Sequence, residues 1–259
     1  MLDHPTVDKL LALHLAAMAR GLVEQMNNPE LVATLTFEER LGLLVDRQLT
    51  DRDNQRMVRR LKNAKLRQSA CLEDLDFKAV RGLDRALLAK LADGSWIQQN
   101  ANVLITGPTG VGKTYLACAL AQKACRGGVG AFYVRMPRLA ADLQTARAEG
   151  RLARVLDGLA RKPLLVLDDW GLTGFNDTLR RDLLEIVEER HGRRSLIITS
   201  QFPVDKWHEL IGDPTMADAI LDRIVHNSHR IAMKGGTMRK GVSDGPDDAG
   251  SSPAARPKA

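Results

Sequence analysis

The residues with the clearest chemical signature form a glycine-rich segment that ends in lysine and threonine. Residues 107–114 read GPTGVGKT, which matches the phosphate-binding pattern GxxxxGK(S/T) at every position. The glycines let backbone N–H groups converge on anionic oxygens, and the helix that follows adds a favourable dipole. We expect Lys113 to reach the β- and γ-phosphates of a nucleotide and Thr114 to place its hydroxyl on Mg²⁺. The predicted cofactor-binding residues are Gly107, Pro108, Thr109, Gly110, Val111, Gly112, Lys113, Thr114 and Tyr115.

Two adjacent acids supply the other half of the predicted site. The apolar run at 164–167 precedes Asp168 and Asp169, so a buried strand would deliver both carboxylates at its C-terminal end, where open α/β sheets bind ligands. We expect Asp168 to hold Mg²⁺ together with Thr114, and Asp169 to orient and polarise the attacking water. A buried pair of acids without a cation would be costly, which favours a metal site over a purely structural role. The implied cofactors are ATP and Mg²⁺.

The segments around these motifs alternate between strand-like and helix-like patterns. Short apolar, β-branched runs predict strands, and the periodicity after the glycine-rich loop predicts a helix. This alternation is typical of an α/β fold, in which helices flank a parallel sheet on both faces. The predicted strands lie at 102–106, 131–134, 164–168 and 196–199, and the predicted helix lies at 115–126.

Residues 1–68 contain helical patterns and no strand pattern. Thr36 followed by Glu39 is typical of a capping box that opens one helix, and Asp51 is predicted to begin another that runs to Gln68. At about 100° per residue, five arginines of this second helix fall within an arc of about 100°. Such an arc suits DNA phosphates, because each neutralised phosphate releases counterions, although a solvated basic face has the same pattern. These arginines are Arg52, Arg56, Arg59, Arg60 and Arg67.

Length, charge and composition exclude several other classes of protein. The chain has 259 residues, a net charge of +6 and 44% hydrophobic residues, which is ordinary for globular proteins. No run approaches the roughly 18–20 apolar residues of a membrane helix, and the N-terminus lacks the pattern of a signal peptide. The cysteines are too few for a disulfide framework, so we expect a cytoplasmic protein with reduced thiols. We predict a helical domain at 1–68, an ATPase domain at 69–240 and a disordered tail at 241–259.

Five motifs follow one another along the chain: GPTGVGKT at 107–114, LLVLDDWGL at 164–172, SLIITSQ at 195–201, ADAILDRIVHNSHRI at 217–231 and GGTMRK at 235–240. In these motifs and their order the chain resembles the IstB family, which comprises ATP-binding helper proteins encoded by insertion sequences beside their transposase. The family is similar to AAA+ ATPases of the initiator and helicase-loader clade. The resemblance implies an AAA+ P-loop NTPase fold with a small all-helical domain before it.

The resemblance also implies roles for residues outside the glycine-rich loop. Ser200 resembles sensor I, a polar side chain that contacts the γ-phosphate or the attacking water. Arg223 resembles the arginine finger that reaches the γ-phosphate bound by a neighbouring subunit, and Arg239 resembles sensor II, which contacts phosphate in its own subunit. Arg135 and Arg138 lie in a region that faces a nucleic-acid channel in this clade. The catalytic residues implied in total are Lys113, Asp168, Asp169, Ser200, Arg223 and Arg239.

The implied function is that of an ATP-dependent DNA-binding helper of transposition. Such a protein would self-associate into an ATP-dependent homo-oligomer on double-stranded DNA with little sequence preference. It would recruit the cognate transposase, would be regulated by its own ATP hydrolysis, and would need no membrane. Its helical domain at 1–68 would bind DNA, the transposase or both. Three alternatives stay open: a helicase loader similar to DnaC that grips single strands, a small-molecule kinase, and a nucleotide-dependent scaffold without useful catalysis.

Overall fold

The structure is a computed structural model that describes residues 4–77 and 81–238 of the chain. The predicted tail at 241–259 lies outside the described residues. The helices are α1 (Pro5–Ala12), α2 (Ala16–Asn27), α3 (Phe37–Ala64), α4 (Arg85–Asp93), α5 (Ser95–Gln98), α6 (Lys113–Arg126), α7 (Met136–Ala148), α8 (Leu152–Ala160), α9 (Asp177–Arg190), α10 (Trp207–Ile211) and α11 (Pro214–Val225). The strands are β1 (Asn102–Thr106), β2 (Ala131–Arg135), β3 (Leu164–Trp170), β4 (Ser195–Ser200) and β5 (Ser228–Ala232).

The described residues form a five-stranded parallel sheet in the order β2-β3-β4-β1-β5. The sheet and its flanking helices confirm the predicted α/β fold, and each predicted strand lies within two residues of its observed ends. The sequence patterns do not predict β5, because its residues SHRIA mix polar and apolar side chains. That mixture suits an edge strand, which is exposed along one side. β5 pairs in parallel with β1 and so extends the sheet beside the glycine-rich loop.

Side chains alternate between the two faces of the sheet and divide the core into two halves. Val103 and Ile105 of β1 point to the face that α4, α5 and α6 cover. Leu104, between them, points to the face that α7 to α11 cover. Because both faces are buried, the central strands need apolar residues at successive positions and read as continuous apolar runs. The loops that follow these strands emerge together at the C-terminal edge of the sheet.

Helix α3 is one continuous helix of 28 residues, so the prediction of a new helix at Asp51 is wrong. The predicted capping box is present: the Glu39 N–H donates to the Thr36 hydroxyl at 3.3 Å, and the Thr36 N–H donates to the Glu39 carboxylate at 2.8 Å. Neither glycine nor proline occurs at 43–64, so nothing interrupts the helix near Asp51. The helix also ends before Arg67, whose predicted place on the arginine arc is therefore wrong.

The long helix α3 connects the N-terminal helices to the sheet. Gln48 accepts a hydrogen bond at 3.1 Å from the Ala17 N–H, at the start of α2. Farther along, Arg60 Nε donates to the Cys125 carbonyl oxygen at 2.9 Å, at the end of α6, and Ala64 is buried in the same half of the core as α6. The division of the chain near residue 68 stays a prediction. Among the described helices, none combines the length and apolar character that a bilayer crossing requires.

Candidate nucleotide-binding site

The glycine-rich loop joins the end of β1 to the start of α6. Gly107 has a φ of +146°, and a Cβ atom there would lie 2.3 Å from the Met233 carbonyl oxygen, so this position requires glycine. Lys113 begins α6, and its Nζ donates to the carbonyl oxygens of Gly107 and Pro108 at 2.7 and 2.8 Å. The ammonium group is thereby held over the loop at the N-terminus of a helix, where an anion is favoured.

Asp168 lies near the end of β3 and is fully buried. Its carboxylate accepts hydrogen bonds from the Thr114 hydroxyl at 3.0 and 3.1 Å, from the Tyr133 hydroxyl at 2.5 Å and from the Thr199 hydroxyl. Burial, and then the bond to Asp168, raise the pKa of Tyr133 above its ordinary value, so this hydroxyl stays a donor. Arg67 Nη1 lies 3.9 Å from the same carboxylate. Donors from several elements and a cation thus offset the cost of burying Asp168.

Asp169 lies at a bulge in β3 and turns its carboxylate toward the loops. The pairing of β3 with β4 shifts register between Leu167 and Trp170, and Asp169 has a φ of +63°. A residue other than glycine is strained in this backbone conformation. Bulges of this kind redirect side chains beside functional sites. Arg135 donates to Asp169 Oδ2 from Nε and from Nη2, both at 2.8 Å. This contact raises the pKa of Arg135 and occupies one oxygen of the carboxylate that we expect to polarise water.

Thr199, and not Ser200, faces the acids from the end of β4. The Ser200 hydroxyl is buried, donates to the Trp170 carbonyl oxygen at 2.8 Å and accepts from the Phe202 N–H at 3.1 Å. The Thr199 hydroxyl donates to Asp168 and accepts from the Asp169 N–H at 3.1 Å. Adjacent residues of a strand point to opposite faces, so the implied sensor role of Ser200 does not agree with its position. The next residue along, Gln201, lines the cleft beside the glycine-rich loop.

The cleft beside these residues has a volume of about 890 Å³ and contains donors and acceptors suited to a nucleotide. Thr109, Gly110 and Lys113 line one side, and Asp169 and Gln201 line another. The Thr114 hydroxyl and the Asp168 carboxylate provide the oxygen ligands that Mg²⁺ prefers, and they already lie within hydrogen-bonding distance. The residues present therefore fit a triphosphate on the loop and Mg²⁺, which Thr114 and Asp168 would hold.

Arg223 lies near the N-terminal ends of the strands, whereas the cleft lies at their C-terminal ends. On α11, it lines a cavity of about 370 Å³ beside Asn102 and Leu196, where β1 and β4 begin. Its Nη1 donates to the Ala219 carbonyl oxygen at 2.7 Å, and its guanidinium forms an ion pair with Glu188. Because the length of β1 separates the two ends of the sheet, Arg223 does not reach the nucleotide cleft of its own subunit. A contact between Arg223 and a γ-phosphate would therefore require a second subunit.

Arg239, the residue that resembles sensor II, lies outside the described residues. The chain just before it runs along the glycine-rich loop. The Met238 N–H donates to the Gly110 carbonyl oxygen at 2.9 Å, and a Cβ atom at Gly110 would lie 2.4 Å from Thr237 Oγ1. The role of Arg239 stays a prediction.

The seven arginines predicted to bind DNA occupy different surroundings. Arg52, Arg56 and Arg59 are exposed along α3, and Arg138 is exposed on α7, where its Nε pairs with Asp142 at 2.9 Å. The other three lie elsewhere: Arg60 is bonded to the end of α6, Arg67 contacts Asp168, and Arg135 holds Asp169. The structure thus brings two of the predicted DNA-binding residues, Arg67 and Arg135, to the nucleotide cleft.

Three residues contact the Asp168 carboxylate without any signal of this in the sequence alone. Tyr133 lies on β2, next to β3 in the sheet, but that adjacency requires the strand order. Thr199 differs from Ser200 by one position in a strand that is buried throughout, so the face that each occupies is not evident. Arg67 reaches the cleft because α3 ends at Ala64 and the chain turns at Lys65, which has a φ of +51°.

Comparison with known proteins agrees with this geometry. The model of the family described as IstB-like ATP binding protein matches residues 8–244. A protein of Sinorhizobium fredii named as an insertion sequence ATP-binding protein is 52% identical over 240 residues, which cover 93% of this chain and 98% of the relative. A Pseudomonas aeruginosa protein named as the ATP-binding protein of insertion sequence IS21 is 34% identical over 233 residues, which cover 90% of this chain and 86% of the relative.

Two solved structures share the fold at low sequence identity. The crystal structure of DnaI aligns with a TM-score of 0.54 and 23% identity, covering 65% of this chain and 92% of that one. The crystal structure of the DnaC helicase loader aligns with a TM-score of 0.51 and 21% identity, covering 68% of this chain and 99% of that one. These similarities show an AAA+ P-loop fold. The matching family model and the insertion-sequence relatives, together with the glycine-rich loop and the paired acids, establish that the chain belongs to the IstB family of insertion sequence ATP-binding proteins.

Proposed function

We propose that the protein is a DNA-binding helper of transposition whose assembly on double-stranded DNA is controlled by ATP binding and hydrolysis. The single observation that carries the ATP part is that Lys113 and Thr114 line one cleft and that the Thr114 hydroxyl is bonded to the buried Asp168 carboxylate. The insertion-sequence relatives support a role in transposition, with the cognate transposase as partner and the cytoplasm as the place of action. The protein then binds DNA in the ATP-bound state, and its affinity for DNA falls after hydrolysis.

Hydrolysis is assigned to the residues of the cleft. Lys113 holds the β- and γ-phosphates, and Thr114 and Asp168 would hold Mg²⁺, which supplies charge neutralisation on the phosphate oxygens. Asp169 orients the attacking water and accepts its proton. Arg223 of a neighbouring subunit offsets the negative charge that develops on the transferred phosphoryl group. Since the cleft of one subunit lacks its own Arg223, hydrolysis depends on the assembled oligomer.

DNA binding is assigned to the exposed arginines of α3. Arg52, Arg56 and Arg59 present guanidinium groups along the helix, and the acid Asp53 pairs with Arg56 at 3.3 Å across an exposed surface, where ion pairs are weak. Guanidinium groups on one helix suit the phosphate backbone, whereas base edges need side chains fitted to a groove. The protein should therefore bind duplexes of different sequence with similar affinity.

Neutralising the exposed arginines of α3 is expected to weaken duplex binding at all sequences. Log affinity falls linearly with log salt concentration, and the triple variant R52Q/R56Q/R59Q should make this fall less steep by about 0.9 for each arginine that contacts a phosphate. Fluorescence anisotropy with a labelled duplex, in the presence of a slowly hydrolysed ATP analogue, measures this slope. The control R85Q/R181Q/R193Q removes the same charge from exposed arginines on α4, α9 and the loop after α9. An equal loss in both triple variants would contradict the assignment to α3.

Releasing Asp169 from Arg135 is expected to raise hydrolysis in the absence of DNA. Arg135 occupies Oδ2 of Asp169, so R135Q frees that oxygen to accept a hydrogen bond from water and should increase phosphate release by at least about threefold, a small part of what a general base contributes. R138Q is the matched control, because Arg138 is exposed on α7 and pairs with Asp142 outside the cleft. Phosphate release at saturating ATP measures the effect. A fall in R135Q would mean that Arg135 itself is needed for catalysis.

A helicase loader is the second candidate function, since the DnaC helicase loader shares the fold. That likeness extends to the fold, whereas the relatives above 30% identity are named as insertion sequence proteins. The two functions differ in the nucleic acid that they hold. Preference for a duplex over a single strand of equal length in the anisotropy assay favours the transposition helper, and the opposite preference favours the loader.

A further inference from the structure

Arg67 lies at the nucleotide cleft and contacts the carboxylate that the metal would use. Its Nη1 is 3.9 Å from Asp168 Oδ2, and the same oxygen accepts the Thr114 hydroxyl at 3.1 Å. The guanidinium also lies beside Tyr133, where it opposes the rise in the pKa of that hydroxyl. A cation of the chain itself therefore shares Asp168 with the hydroxyl that is expected to ligate Mg²⁺.

The backbone around Arg67 is anchored, whereas its side chain is not. Ala64 and Ala70, on either side, are buried in the core. The backbone of Gln68 and Arg67 lies beside the thiol of Cys118, one turn after Thr114 on α6, and opposes the rise in the pKa of that thiol that burial causes. The Arg67 side chain is 48% exposed. The guanidinium can therefore leave Asp168 by rotating its side chain, without opening the core.

We infer that Arg67 and the divalent cation compete for Asp168, so that Arg67 restrains metal-dependent nucleotide binding and links it to α3. Two cations on one buried carboxylate repel each other strongly at separations of about 4 Å. Because Arg67 follows the end of α3 by three residues, displacement of its guanidinium from Asp168 changes the side-chain contacts and the local charge of the segment that joins α3 to the cleft. The inference rests on the proposed function in taking ATP with Mg²⁺ as the ligand of the cleft.

The test compares R67Q and R67K with wild-type protein and with R181Q, which removes an exposed arginine from α9, outside the cleft and α3. The measurement is the Mg²⁺ concentration that gives half-maximal binding of a fluorescent ATP analogue. For R67Q we expect this concentration to fall at least about fivefold, the lower end of ordinary coupling between sites. R67K keeps the cation and should stay near wild type, and R181Q should be unchanged. In EDTA without nucleotide, R67Q should also unfold at a lower temperature than R181Q, since the buried Asp168 carboxylate loses its nearby cation.

Two results would overturn the inference. An unchanged Mg²⁺ requirement in R67Q would mean that the two cations do not compete. Weaker binding of the analogue at saturating Mg²⁺ would mean that Arg67 is a phosphate ligand. If wild-type protein binds no ATP analogue, the proposed function fails instead. Binding of Mn²⁺ alone, followed by electron paramagnetic resonance in wild type and R67Q, then still decides whether Arg67 opposes the metal.

The link to α3 has its own measurement. Binding free energies are coupled reciprocally, so a duplex that binds α3 must change the Mg²⁺ requirement if Mg²⁺ changes the affinity for the duplex. Duplex DNA should therefore shift the half-saturating Mg²⁺ concentration of wild type, and the shift should be absent in R67Q. The same shift in both proteins would show that any coupling bypasses Arg67.

Discussion

Replacement of Asp168 by asparagine is expected to lower ATP hydrolysis by at least about a hundredfold, because a metal ion supplies several kcal/mol of transition-state stabilisation. The amide has the size of the carboxylate but no charge with which to hold Mg²⁺. The hydroxyls of Thr114 and Thr199 can rotate to keep hydrogen bonds with the amide, so the fold should persist. Loss of activity with a retained fold would assign Asp168 to the chemistry.

Phosphate release across a range of Mg²⁺ concentrations measures this effect, and thermal unfolding checks the fold. The matched control is D182N. Asp182 is also a buried aspartate, but it lies on α9 and pairs with Arg147 at 2.5 Å, among residues of the opposite half of the core. D182N should lose stability without a specific change in the Mg²⁺ requirement. Hydrolysis by D168N at the wild-type rate would contradict the assigned metal site.

The parts of the site that the sequence predicts are those encoded by contiguous residues. The glycine-rich loop needs its residues in one order, and the run before Asp168 is apolar because β3 is buried on both faces. A parallel sheet brings the C-terminal ends of its strands to one edge. The contact between Thr114 and Asp168, 54 residues apart, therefore follows from local patterns and this rule.

The parts that the sequence does not predict depend on where an element ends or which face a residue occupies. Arg67 has the helical spacing of the α3 arginines, and the turn at Lys65 removes it from that face. The choice between Thr199 and Ser200 depends on strand alternation in a segment that is buried throughout, where a shift of one residue exchanges the two faces. Arg135 reaches Asp169 because β2 lies beside β3, and strand order is a tertiary property.

Replacement of Arg223 by glutamine is expected to lower hydrolysis by about a thousandfold at protein concentrations that support assembly, as removal of an arginine finger does. Binding of the ATP analogue by single subunits should be unchanged, since Arg223 lies near the N-terminal ends of the strands, away from the cleft. The Arg223 side chain contacts Glu188 and the Ala219 carbonyl oxygen of its own subunit. Thermal unfolding therefore accompanies the assay, to separate a catalytic loss from a structural one.

Mixing two inactive variants tests whether the site is completed by a second subunit. An interface between R223Q and D168N contains an intact Asp168 and an intact Arg223 when the cleft comes from the first and the arginine from the second. If subunits join head to tail at random, about a quarter of the interfaces in an equal mixture have this composition, and about a quarter of wild-type activity should return. Mixing R223Q with a D168N/R223Q double variant should restore nothing. The absence of recovery in a mixture that does assemble would contradict a shared site. Recovery would explain why the cleft and Arg223 lie at opposite ends of the strands. A contact between unlike surfaces allows each subunit to complete the site of the next.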